Sequence, residues 1–121
     1  MARIHEEGKR AEDEAIEWYL KRKAAVLLVR NFRCRRGEID LIFEETGQDL
    51  ELVFVEVRSR AWGAMVSGLE SVQRRKQKRM TFTAQVFLAS YRGVAQNIRF
   101  DLLAWNGRDW EHYPDLWLPV Y

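Results

Sequence analysis

The chain has 121 residues, 47% of them apolar and 31% charged, with a formal net charge of +2. That is enough for one hydrophobic core without staples, and too apolar and varied for a disordered, collagen-like or low-complexity chain. One cysteine and two histidines cannot build an internal disulfide or a structural zinc site, and no apolar run approaches the ~20 residues of a membrane-spanning helix. The opening Met1-Ala2-Arg3-Ile4-His5-Glu6-Glu7 lacks the apolar stretch of a signal peptide. A single soluble, cytoplasmic domain over residues 1–121, with no membrane partner, is therefore expected.

The first element reads as a helix from about Gly8 to Lys23, because Ala11, Ala15, Ile16, Tyr19 and Leu20 recur at helical spacing. Val26–Val29 is a short β-rich run, and Arg35-Arg36-Gly37 a turn. Glu38–Phe43 and Leu52–Arg58 are two further strands joined by a loop at Thr46–Asp49. The segment Ala61–Gly68 looks irregular. A long helix follows from about Leu69 to Tyr91, with Leu69, Val72, Met80, Thr83, Val86 and Phe87 on one side. Ile98–Trp105 is a strand, Asn106-Gly107 a turn, and Trp110–Tyr113 a last strand. The order αβββαβ, with a closing strand, predicts an α/β domain with a mixed central sheet flanked by helices.

Charge is distributed in blocks. Between Arg58 and Arg92 stand eight basic residues and one acid; between Glu38 and Glu56 stand seven acids and no base. Carboxylates inside a basic surround suit a metal-dependent enzyme acting on a polyanion, although the same blocks would also make a solvated, salt-bridged surface.

Within those blocks, Glu56-Val57-Arg58 stands out. Strand alternation points Glu56 and Arg58 the same way from a very apolar strand, and a buried carboxylate needs a cation or a metal beside it. An ion pair at a strand end would satisfy that need too. Asp40 poses the same problem on the preceding strand, where Ile39, Leu41 and Phe43 are expected on one face and Glu38, Asp40 and Ile42 on the other. A hairpin centred near residue 48 sets Asp40 across from a residue near Glu56, where two carboxylates repel unless a divalent cation joins them. Hard oxygen ligands suit Mg²⁺ or Mn²⁺, and such an ion supplies an activated water and neutralises phosphate charge.

Glu12 borders the buried stripe of the first helix, four and seven residues from Ile16 and Tyr19. As a first-turn acid it could equally serve the helix dipole. Lys76 lies on one i, i+4 line with Val72 and Met80 and so can approach the sheet. Arg74, Arg75, Lys78 and Arg79 face outward, as a phosphate-contacting surface or as plain solubilising charge. Cys34, among arginines, has no histidine near it in sequence to make a nucleophile pair. The tryptophans of the C-terminal third more often anchor cores or interfaces than stack bases, and the apolar tail Trp117–Tyr121 suits docking on the domain or on a second copy.

The stretch Arg30-Asn31-Phe32-Arg33-Cys34-Arg35-Arg36-Gly37-Glu38-Ile39-Asp40-Leu41-Ile42, followed by Leu52-Val53-Phe54-Val55-Glu56-Val57-Arg58-Ser59-Arg60, closely resembles the YraN-like family of uncharacterised bacterial proteins. The likeness continues through Val72–Arg79, Arg99-Phe100-Asp101 and the opening Gly8…Glu12…Ala15…Leu20, about residues 8 to 103. It implies a restriction-endonuclease-like fold, similar to archaeal Holliday-junction resolvases, with a PD-(D/E)xK-type site. Carried over by position, Glu12, Asp40 and Glu56 match the acids and Lys76 a basic residue of the second helix. Asp40 and Glu56 would hold the metal. Arg58 departs from the pattern, which has Lys there; Arg stays charged and can only orient and stabilise.

Together these readings lead to a nuclease-superfamily protein that binds DNA, with Glu12, Asp40, Glu56, Arg58 and Lys76 as catalytic candidates and Mg²⁺ or Mn²⁺ as cofactor. Arg35, Arg36, Arg58, Arg60, Arg74, Arg75, Lys76, Lys78 and Arg79 are the nucleic-acid-binding candidates. The alternatives are a non-catalytic nucleic-acid-binding module that keeps the fold, and a protein-interaction subunit docking through its tryptophan-rich tail. A homodimer is the habit of nucleases that cut both strands, but no two-fold surface is legible in the sequence.

Overall fold

The structure, a computed structural model, describes residues 2–59 and 73–119. Along the chain run α1 (Ala2–Arg22), β1 (Ala25–Cys34), β2 (Gly37–Thr46), β3 (Leu50–Ser59), α2 (Arg74–Ser90), β4 (Asn97–Trp105) and β5 (Trp110–Trp117). The strands form one sheet in the order β1-β2-β3-β4-β5. β1/β2, β2/β3 and β4/β5 are antiparallel, and β3/β4 is parallel. A parallel pair cannot be joined by a tight turn, and here the connection between β3 and β4 carries α2. The expected α/β architecture, αβββαβ with a closing strand, is the one observed.

Each helix covers one face. Ala15 and Tyr19 of α1 pack on Leu41, Phe43, Val53, Val55 and Leu103. Met80, Ala84 and Phe87 of α2 pack on the opposite face, with Ile39, Ile42, Leu52, Phe54, Phe100 and Trp117. This is why β2 and β3 read as nearly unbroken apolar runs: both of their faces are buried. Truncating a fully buried aromatic such as Phe54 to Ala would cost roughly 3–5 kcal/mol.

Alternation along β2 breaks at one place. Leu41 and Phe43 face α1, Ile42 faces α2, yet Ile39 also faces α2. The expectation that Ile39, Leu41 and Phe43 share one face is therefore corrected. On β1 the partners of Leu41 and Ile39 are Arg30 and Phe32, and between them Asn31 adopts a left-handed backbone with φ 55. Asn tolerates that region better than other residues with a side chain. The reversal falls between Arg30 and Phe32 on one strand and between Leu41 and Ile39 on its neighbour. Asp40 sits at the reversal.

Several boundaries move. α1 begins at Ala2 rather than near Gly8, and β1 runs on through Arg30–Cys34 because an edge strand tolerates charge. β5 extends past Pro114 to Trp117, on the other edge, where a missing N–H is tolerated. The buried residues of α2 are Met80, Thr81, Thr83, Ala84 and Phe87; Val86, expected inward, is 38% exposed. The expected irregular segment Ala61–Gly68, and Leu69 and Val72 of the expected second helix, lie outside the described residues, as do Val120 and Tyr121 of the tail. Trp117 stacks on Phe100 at 5.2 Å, so this part of the tail docks on its own domain. No described helix is long and apolar enough to cross a membrane.

Candidate active site

The β2–β3 hairpin folds about residue 48, and its ladder ends at Leu41 opposite Val55. One residue further, Asp40 and Glu56 stand across from each other where β2 and β3 cease to pair. The backbone N–H of Val57, on the peptide that joins it to Glu56, donates to Oδ2 of Asp40 at 2.8 Å. The two acids are thus brought to one point, at the C-terminal end of β3. Glu56 lies on the α2 side of its strand, while Val55 and Val57 pack on the α1 side.

The two carboxylates sit in different electrostatic surroundings. Glu56, whose side chain is 5% exposed, takes Nζ of Lys76 at 2.5 Å and Nε of Arg58 at 3.3 Å, both on Oε1. Lys76 reaches it from the first turn of α2, across the gap between helix and strand. Asp40 has no such ion pair among the described residues. Burial, then the negative charge of Glu56, pushes its carboxyl up to about 8; the Val57 N–H and the more distant Lys76 only partly offset that, and Glu12 adds to the rise. A carboxyl strained in this way takes up either a proton or a cation.

Glu12 acts on the same region from α1, where its charge adds to the rise at Asp40, but it has partners of its own. Its Oε1 accepts from Arg30 Nη2 at 3.2 Å and from Asn31 Nδ2 at 3.0 Å. Arg30 also pairs with Asp13 at 2.6 Å. The residue that turns the backbone beside Asp40 therefore also positions the helix acid. Neither Arg30 nor Asn31 was singled out for this from sequence; the one signal was an Asn within the arginine-rich stretch that follows the expected strand Val26–Val29.

Among the described residues no group of three or more His, Cys, Asp or Glu side chains is gathered closely enough to hold a metal ion. The donor set is a pair of carboxylates. That fits Mg²⁺, which dehydrates reluctantly and commonly binds through one or two carboxylates, several waters and a substrate phosphate. Oδ1 of Asp40 receives no hydrogen bond among the described residues, and the ion pairs of Glu56 engage Oε1, so each acid has an oxygen to offer.

A basic ridge lies beside this site. Arg74, Arg75, Lys78 and Arg79 are exposed on α2, and Arg35 and Arg36 are exposed at the β1–β2 turn. Turn and helix are pressed together: a Cβ on Gly37 would lie 3.2 Å from Thr83 Oγ1 and 3.4 Å from Arg79 Cβ. The guanidinium of Arg36 sits over the Phe82 ring at 4.6 Å. Six cationic side chains thereby share one side of the molecule with Lys76. Arg60, the remaining cationic candidate, lies outside the described residues.

A second polar cluster was not found from sequence at all. Arg99, 12% exposed, bonds Asp101, Glu45, Glu51 and the Tyr19 hydroxyl, each at 3.0 Å, and His112 Nε2 lies 2.7 Å from Asp101. The Tyr19 hydroxyl also donates to Glu45. Burial pushes Asp101 upward, but His112, Arg99 and the Asp115 N–H outweigh it and hold its carboxyl below the ordinary range. Residues 99 and 101 share a strand face, which was legible; that Tyr19 would reach them from α1 was not. The cluster ties the C-terminal half of α1 to the sheet, and so fixes where Glu12, seven residues earlier, can stand.

The family model described as "Uncharacterised protein family UPF0102" matches residues 11–104. Among curated proteins the chain is 40% identical to a UPF0102 protein of Pseudomonas entomophila over 112 residues, 92% of this chain and 88% of the relative. It is 42% identical to one of Herminiimonas arsenicoxydans over 97 residues, 80% and 74% of the two chains. A UPF0102 protein of Halorhodospira halophila is 42% identical over 102 residues, 84% of this chain and 78% of the relative. The matched span contains Glu12, Asp40, Glu56, Arg58 and Lys76.

Proposed function

The chain belongs to the uncharacterised protein family UPF0102, the YraN-like family, and from that premise we propose that it is a nucleic-acid-binding phosphodiesterase, dependent on Mg²⁺ or Mn²⁺ and acting on DNA. The observation that carries the reading is the unequal carboxylate pair: Asp40 uncompensated, Glu56 held by Lys76 and Arg58, both beside an exposed basic ridge. A purely structural ion pair would need no second, unneutralised acid beside it.

The roles follow from the chemistry of each side chain. Asp40 and Glu56 hold the cation, which when bound supplies charge neutralisation at the phosphate and an acidified water. Lys76, a flexible ammonium 37% exposed, can swing from Glu56 to a phosphate oxygen. Arg58 remains charged at any working pH and keeps Glu56 oriented when Lys76 leaves. Glu12, positioned by Arg30 and Asn31, accepts a proton or steadies a water at the margin. The ridge from Arg35 to Arg79 holds the polyanion's backbone.

A second reading, a binding module without turnover, is favoured by one observation: Glu56 already has two cations, and Arg58 cannot release a proton. Incubation of the purified protein with duplex, branched and single-stranded DNA in Mg²⁺, Mn²⁺ or EDTA separates the readings. The phosphodiesterase reading expects metal-dependent product that falls at least ~100-fold in Asp40→Ala. Cutting of equal rate by wild type and Asp40→Ala would sink it. Binding indifferent to EDTA, with no product under any condition, would establish the second reading in its place.

A further inference from the structure

Among the described residues two arginines lie over aromatic rings, and they are committed differently. Arg22, in the last turn of α1, sits over Trp18 at 4.4 Å and donates from Nη1 to the Trp18 carbonyl at 3.1 Å. Arg36, at the β1–β2 turn, sits over the half-buried Phe82 of α2 at 4.6 Å, and no carboxylate among the described residues pairs with it. A guanidinium held against a ring face keeps its N–H groups at the edge, where they can still take two phosphate oxygens as a fork.

The turn that carries Arg36 is fastened to α2. Cys34 Sγ lies 3.3 Å from Thr83 Oγ1, and the N–H groups of Arg36 and Gly37 donate to that sulfur. A Cβ on Gly37 would stand 3.2 Å from the same Thr83 hydroxyl. Phe82 and Thr83 belong to the helix that sends Lys76 to Glu56, so turn, ring and site share the α2 side of the sheet. A cavity of about 490 Å³ opens at the turn, lined by Arg33, Cys34, Arg35, Arg36, Gly37 and Glu38. Arg33 is neutralised there by Glu38 at 2.9 Å, whereas Arg36 combines a fixed position with no counter-charge among the described residues. Gly37 precedes Asp40 by three residues on β2, on the order of 10 Å by strand geometry.

We propose that this cavity is a phosphate subsite, with Arg36 as its fixed contact and Phe82 as the residue that positions Arg36. The subsite holds a backbone phosphate other than the one at Asp40 and Glu56, and so sets which linkage of the strand meets the cation. This inference rests on the nucleic-acid reading above and deepens it: the rest of the ridge attracts a polyanion, and this contact fixes its register. Lysine would supply the same charge at position 36, but neither a flat face for the ring nor a forked edge for the phosphate.

The test is a fluorescence-anisotropy titration of the full chain against a short labelled DNA duplex in EDTA, where no cutting occurs. Arg36→Lys and Phe82→Leu are each expected to weaken binding ~5-fold. The double variant should lose no more than either single one, because both remove the same contact. The charge stays in both, so the dependence of affinity on salt should keep its wild-type slope. Phe82→Tyr, which restores the ring face, should bind as wild type does, and so should Arg22→Lys, whose stacked arginine lies off the ridge. Thermal melts accompany each variant, since a guanidinium that only covered the ring would alter the melt and leave the affinity untouched. Should Phe82→Leu fail to fold, Arg36→Lys, at an exposed position, and Phe82→Tyr decide the matter. Wild-type affinity in Arg36→Lys or in a folded Phe82→Leu, additive losses in the double variant, or a loss in Phe82→Tyr overturns the subsite alone. Failure of the wild type to bind the duplex overturns the nucleic-acid reading and the subsite with it.

Discussion

Asp40 and Glu56 lie across one strand pair, yet their substitution should act on stability in opposite directions. The folded protein holds the Asp40 carboxyl up at about 8, whereas in an unfolded chain it ionises near its ordinary 3.8. Between those values the unfolded state gives up a proton that the folded state keeps, so this residue's contribution to stability falls as pH rises through that window. Asp40→Asn removes the effect. It should raise stability at pH 7 by about 1–2 kcal/mol, with the gain fading toward pH 4. Glu56→Gln leaves Lys76 and Arg58 facing each other and should lower stability by about 1–2 kcal/mol, less than a fully buried pair because both cations are partly exposed. Urea melts of both variants at pH 4, 5.5 and 7 measure this; a destabilised Asp40→Asn at pH 7 would mean that Asp40 is an ordinary paired acid. The pairing of these acids could be read from hairpin symmetry about residue 48. Their asymmetry could not, because it depends on Lys76 arriving from a helix and on Asn31 turning the neighbouring strand.

At the scale of elements, two of the contacts that hold α1 differ in kind, and only one of these was visible beforehand. Helical periodicity marked Ala15 and Tyr19 as inward-facing, and both are buried. The other contact is polar: the Tyr19 hydroxyl enters the cluster of Arg99, Glu45, Glu51 and Asp101. Such clusters escape sequence reading because each member looks like a surface charge until the fold removes its water. Arg99→Met would strand three carboxylates around one lost cation, and should cost roughly 3 kcal/mol at neutral pH. Asp101 is held below its ordinary range, so its stabilisation is present above about 4 and is lost as pH falls through its lowered value. The deficit of Arg99→Met should therefore shrink on acidification. Paired denaturant titrations of wild type and variant between pH 3 and 7 decide it, since a deficit constant across that range would show that the cluster acts by packing and not by charge. If α1 shifts when this anchor is cut, Glu12 shifts too, and the metal-dependent cleavage proposed above should fall even where the variant stays folded.

For the whole molecule, a net charge of +2 conceals a separation that the fold enlarges. Basic residues distant in sequence, Arg35 and Arg36 from the turn and Arg74, Arg75, Lys78 and Arg79 from α2, come onto one side because Gly37 lets the turn lie against Thr83 and Arg79. Blocks of charge were countable in advance, but their convergence needed the β1–β2 turn to meet α2. A duplex bound along this ridge would release counterions in proportion to the phosphates neutralised, each contributing about 0.9 to the slope of log affinity against log salt. If Arg74, Arg75, Lys78 and Arg79 each meet a phosphate, replacing all four by Ala should lower the magnitude of that slope by about 3 to 4. All four are exposed, so the thermal melt should stay near that of wild type. Asp40→Ala should leave the slope unchanged, because it does not touch the ridge and the Asp40 carboxyl, held up at about 8, carries little charge at neutral pH. Fluorescence anisotropy over a series of salt concentrations separates the two variants. A quadruple variant with the wild-type slope would place the polyanion elsewhere on the molecule, and would leave the charge on α2 as a solvated face.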